Sequence, residues 1–168
     1  MISKRQLELD LLRLEGLHAR AMQDPDPRLP LIYSKMAVLE LCGWVEESLD
    51  DIARRAFKGR IQRPALEKKA KEIIKTTYGF DYDHHITTML TRLVGFATFE
   101  TLELDLTSDG SLAVLTAELS AIKVQRDKAA HVSLGMGAVA FDAPSVVTQR
   151  MKLLFPILKR MYSWAVHL

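Results

Sequence analysis

Residues 31–57 read LIYSKMAVLELCGWVEESLDDIARRAF, with no proline and no strand-like alternation. The apolar members Val38, Leu41, Cys42, Val45, Leu49, Ile52 and Ala56 recur at helical intervals, the pattern that gathers side chains on one face of an α-helix. Asp50 and Arg54, and Asp51 and Arg55, stand four residues apart on the opposite side, spaced for surface ion pairs. An apolar face this long is stable only when covered, because isolated helices in water draw little from propensity alone. The stretch therefore predicts one long helix from about Leu31 to Phe57 inside a packed all-α fold.

The flanking sequence repeats the pattern. Leu7, Leu11, Leu14, Leu17 and Ala21 form a first stripe, and the breakers Asp24-Pro25-Asp26-Pro27 and Pro30 end it. Gly59 closes the long helix, and Pro64 suits the first turn of a third, running to about Thr77. Tyr78 to Asp83 reads as a loop. Helical patterning returns with Ile86, Leu90, Leu93 and Val94 and continues through Phe96, Phe99 and Leu102, with Gly95 marking a bend or boundary. The break Thr107–Ser111 precedes a further run, Leu112, Leu115, Leu119 and Ile122, with a helix cap expected at Asp109 or Ser111. Asp142-Ala143-Pro144 should start the last helix, whose stripe is Val147, Met151, Leu154, Leu158, Met161 and Ala165; Pro156 should kink it. Trp44 and Trp164, at helical spacing, read as packing residues. The fold expected is a single domain, residues 1–168, of five to six helices.

Composition sets the outer bounds. With 168 residues, 48% of them hydrophobic, the chain can bury a sizeable core. A lone cysteine, Cys42, rules out an intramolecular disulfide and a cysteine-based zinc site, and its apolar neighbours suggest a buried thiol. The charged N-terminus lacks the apolar core of a signal peptide, and no apolar run approaches the roughly 18 residues of a membrane span. A cytoplasmic protein, with no membrane partner, is expected.

The net charge of +2 is unevenly distributed. Between Arg54 and Lys75 lie nine basic residues against Glu67 and Glu72, so this segment carries +7 and the remainder −5. Arg54, Arg55, Lys58, Arg60 and Arg63 open that block. It reads either as an electrostatic footprint for nucleic acid or as a solvated helix face. Only Phe57 interleaves it, so base stacking gains no support.

Three patterns suggest chemistry. Asp81-Tyr82-Asp83-His84-His85 could be a metal-ligand patch, but adjacent histidines diverge on a helix; a helix start capped by Asp83 is the simpler reading. Gly135-Met136-Gly137-Ala138-Val139-Ala140 matches a dinucleotide glycine pattern only formally, since no strand precedes it. No metal and no cofactor is expected. The third pattern is Arg126-Asp127-Lys128-Ala129-Ala130-His131, which pairs a permanent, fork-shaped cation with a group titrating near neutrality. Spacing alone carries no weight, because Arg13 with His18 and Arg160 with His167 are similarly spaced. Context separates the three. An apolar residue follows the arginine in the other two pairs, Leu14 after Arg13 and Met161 after Arg160, whereas Asp127 follows Arg126 where a long apolar run ends. The alternative is a histidine placed at a helix C-terminus by the helix dipole.

That arginine–polar–spacer–histidine pattern, together with the long helix Tyr33–Leu49, resembles the HEPN superfamily, and within it the RiboL-PSP-type group. The resemblance implies an up-and-down HEPN-like bundle and a metal-independent endoribonuclease, a toxin or defence effector restrained by an antitoxin protein. It implies that Arg126 grips the scissile phosphate, that His131 performs proton transfer and that Asp127 orients one of them. Beside the resemblance, which does not extend over the basic block, Lys128 and Arg54, Arg55, Lys58, Arg60 and Arg63 are expected to extend the RNA track. The resemblance further implies a homodimer whose composite active site holds both copies of the motif. Other members of the superfamily bind RNA, nucleotide or protein without cutting, which is the competing expectation.

Overall fold

A computed structural model describes residues 1–131 and 140–168. Among these residues the regular structure is entirely helical: α1 (Arg5–Ala21), α2 (Arg28–Phe57), α3 (Pro64–Thr76), a π-helical turn (Tyr82–Thr87), α4 (Thr88–Val94), α5 (Phe96–Thr107), α6 (Ser111–His131) and α7 (Pro144–His167). The all-α expectation holds, with seven α-helices in the described residues where five to six were expected. The additional helix arises at Gly95, whose φ of 86° is left-handed backbone that L side chains resist; it ends α4 and starts α5. Gly135-Met136-Gly137 lies outside the described residues.

Contacts gather the chain into two compact units, interleaved in sequence. One comprises Met1–Ile2, Val45–Ser120 and Leu154–Leu168; the other comprises Ser3–Trp44 and Ala121–Leu153. Helices α2, α6 and α7 thus each divide between them.

The second unit is built on the α1 stripe. Leu7, Leu11, Leu14 and Ala21 are buried, as are Val38, Leu41 and Cys42 of α2, Ile122 of α6, and Val147 and Met151 of α7. Each fully buried leucine contributes about 1.5–3 kcal/mol of transfer free energy before entropy is subtracted. Trp44 donates its indole N–H to the Ser3 carbonyl at 2.8 Å, which ties the start of the chain to α2. Pro30, expected to help break the chain, instead sits in the first turn of α2. Its missing N–H costs nothing there, since first-turn donors have no intrahelical acceptor. Asp26 caps this end from outside: it accepts from the Arg28 backbone N–H at 3.0 Å and from the Arg28 side chain at 2.8 and 2.9 Å. The hydrogen bonds from Arg28 hold its carboxyl at about 2.

In the first unit the expected stripes of α2 and α7 are buried: Val45, Leu49, Ile52 and Ala56 on one, Leu154, Leu158, Met161 and Ala165 on the other. Leu102, Leu106, Leu115 and Leu119 from α5 and α6 are fully covered as well. Phe96, counted with the apolar run, is instead 81% exposed, because it is the first residue of α5 beyond the glycine break. Helix α7 continues through Pro156, which removes the N–H that would reach the Lys152 carbonyl. Arg160 of α7 donates to the carboxylates of Asp105 and Asp109 and to the Asp105 carbonyl, each at 2.6 Å. Asp109 also accepts from the Ser111 backbone N–H at 3.0 Å, so it serves the start of α6 from two residues before the helix. Its hydrogen bonds to Ser111 and then to Arg160 hold its carboxyl at about 2. Trp164 donates to the Thr101 hydroxyl at 3.1 Å.

Candidate functional site

Helix α6 runs unbroken to His131. Arg126 and Asp127 are half-buried, Lys128 and His131 are exposed, and the small Ala129 between them is buried. An α-helix turns about 100° and rises about 1.5 Å per residue, so Arg126 and His131, five positions apart, diverge by about 140° around the axis and about 7.5 Å along it. The two side chains therefore leave different faces of the helix. Asp127, four residues before His131, shares its face. In the structure the Asp127 carboxylate pairs with Lys123 at 3.2 Å, both side chains roughly half exposed, an arrangement that water weakens readily.

Immediately beside the motif, a network that the sequence did not announce fixes the site's surroundings. Asp142, expected to cap α7, instead accepts from the Arg150 Nε at 2.8 Å and from the Gln125 amide at 3.2 Å. Its reach is taken by α7 and α6 together, while the start of α7 is closed by the Ala143 carbonyl, which accepts from Val146 and Val147. The Asp142–Arg150 pair is only about one-fifth exposed on each side. Gln125, next to Arg126, is thereby anchored, and this holds the α6 backbone at the motif. Only a long-range contact made Gln125 and Arg150 important, and no spacing rule reports such contacts.

The basic block falls in the first unit, whereas Arg126–His131 falls in the second. Arg54 is exposed but already engaged, donating to Asp51 at 2.7 Å and Asp50 at 2.9 Å. The expected Asp51–Arg55 pair does not form: Asp51 goes to Arg54, and the Arg55 Nε is buried with no acceptor among the described residues. Lys58, Arg60 and Arg63 are exposed around the α2–α3 connection. Lys71 is paired with Glu67 at 2.6 Å, so the block presents less free charge than its count suggests.

The segment around His84 and His85 is a capped π-helical turn. The cap is Asp81 rather than Asp83: its carboxylate accepts from the His84 N–H at 3.0 Å, and its own N–H donates to His85 Nδ1 at 3.1 Å. Both groups are thus occupied in closing the turn. Tyr82 is buried there and donates to Glu103 at 2.9 Å; burial, and then that carboxylate, push its phenol well above its ordinary range. Among the described residues no three of His, Cys, Asp and Glu are gathered as a metal site, and no helix is long and apolar enough to cross a membrane. No protein-family model, curated protein or solved structure matches the chain.

Proposed function

We propose that this protein is a metal-independent endoribonuclease of the HEPN type, acting as a homodimer through Arg126 and His131. The observation that carries the reading is the setting of the motif. It lies at the exposed end of a long helix, with Asp127 on the histidine's face and Gln125–Asp142–Arg150 holding the backbone beside it.

RNA carries its own nucleophile, the 2′-hydroxyl beside the scissile phosphate. Attack forms the bond from the 2′-oxygen to phosphorus and breaks the bond to the 5′-oxygen, leaving a 2′,3′-cyclic phosphate and a 5′-hydroxyl. His131 moves a proton, a contribution of about 10²- to 10⁴-fold. The Arg126 guanidinium offers paired donors to the phosphoryl oxygens as charge builds there. Asp127 would exchange Lys123 for the imidazole and fix its tautomer.

Two proton transfers need two acid–base groups, and each protomer offers one histidine in the motif. A second copy of α6 across a dimer supplies the other. It also answers the divergence along one helix, since the Arg126 of one protomer can face the His131 of its partner. Restraint by an antitoxin protein belongs to the same reading.

The test is incubation of structured and single-stranded RNA, in EDTA, with wild type, Arg126→Ala and His131→Ala. Cleavage by wild type alone supports the proposal. Tight RNA binding by wild type without cleavage overturns it in favour of a binding module.

A further inference from the structure

The geometry points to a binding site for a single phosphate group in the first unit, at the C-terminal end of α2, formed by Arg55, Lys58, Arg54 and Tyr162. These residues, with Asp51 and Met1, line a cavity of about 180 Å³, open to solvent and roomy enough for a phosphoryl group.

Three observations converge on it. Asp51, Arg54, Arg55 and Lys58 lie at positions i, i+3, i+4 and i+7, so one face of α2 and the residue just past it supply the lining. The lining carries Arg54, Arg55 and Lys58 against one carboxylate; Arg54 is engaged with Asp51 at 2.7 Å and Asp50 at 2.9 Å, which leaves Arg55 and Lys58 as the cations outside these pairs. Finally, the Arg55 Nε–H is buried without an acceptor. A buried donor left unmade is costly, and buried polar groups are almost always satisfied. The helix dipole accounts for basic residues in the last turn of α2, but not for a guanidinium nitrogen left without an acceptor on a residue that lines the cavity. Lys58 makes no ion pair among the described residues, and Tyr162 of α7 completes the lining. Arg and Lys around a small concavity are the donor set of phosphate recognition.

This site is in the unit that does not contain Arg126 and His131, and it is tested by binding without cleavage, so its failure and that of the ribonuclease reading are read separately. Isothermal titration of the full chain would use three probes: inorganic phosphate, a nucleoside 5′-monophosphate, and a single-stranded RNA lacking terminal phosphates. Wild type should bind phosphate, and Arg55→Gln or Lys58→Gln should each weaken binding by about tenfold or more, equivalent to one lost charged contact. Binding of the first two probes alone assigns the site to a terminal phosphate. Loss of affinity for all three in the variants assigns it to a backbone phosphate. Both support the site. Thermal melts without ligand show that each variant is folded, and wild type alone should gain melting temperature with phosphate. No phosphate-dependent heat with any probe, or equal affinity in folded Arg55→Gln and Lys58→Gln, overturns the proposal.

Discussion

If one histidine of the motif serves each protomer, activity must disappear on dilution faster than the protein does. Arg126 and His131 sit on one continuous helix, about 140° and 7.5 Å apart, and in the proposed function a second copy completes the pair. Below the dimer dissociation constant the dimer concentration falls as the square of the protein concentration, so each tenfold dilution should lower the total cleavage rate by about a hundredfold. Above that constant the fall should be about tenfold, in simple proportion. The assay is the initial rate of release from a fluorescent RNA in EDTA, across a dilution series whose association state is measured by sedimentation. A rate that stays proportional to concentration where sedimentation finds only monomer would refute the composite site, because one protomer would then suffice.

Other outcomes follow from the structure. Leu102→Ala, at a fully buried position, should lower stability by about 2–5 kcal/mol through lost burial and cavity formation, read as a shift in the urea midpoint at unchanged slope. Gly79→Ala should destabilise by about 1–3 kcal/mol because its backbone is left-handed, with φ of +107°, and because the new methyl would meet the His85 ring at 3.2 Å; no change in the melt would contradict the strain. Asp109 has its carboxyl depressed to about 2 from an ordinary 3.8. A depressed carboxyl stabilises the fold above its unfolded pKa, and this contribution fades as pH falls from about 4 through about 2. Arg160→Met should raise the Asp105 and Asp109 titrations followed by NMR, moving that loss to higher pH; unchanged titration curves would contradict it.

Much of the architecture was legible because packing leaves a period in the sequence. The stripes of α2 and α7 were buried at every position named from spacing, and Gly95 marked a boundary because its backbone takes a left-handed φ that ends one helix and starts the next. What spacing could not reveal was competition among partners. Arg54 took both Asp50 and Asp51, Asp142 left its cap for Arg150 and Gln125, and Asp81 rather than Asp83 closed the π-helical turn. Each outcome depends on which donor arrives in space, and Phe96 became exposed for the related reason that a helix restarted beside it. The motif was visible as a string, but its two divergent side chains became clear only once α6 was seen to continue through His131.

In the proposed function the ribose itself supplies the nucleophile, with His131 moving its proton. An RNA cut by the wild-type protein in EDTA should be resynthesised with a single 2′-deoxy nucleotide immediately 5′ of the cut, and cleavage at that bond followed. This cut should vanish while the parent RNA yields a 2′,3′-cyclic phosphate with wild type and none with His131→Ala. Continued cleavage of the deoxy bond, or undiminished cleavage by His131→Ala, would contradict it.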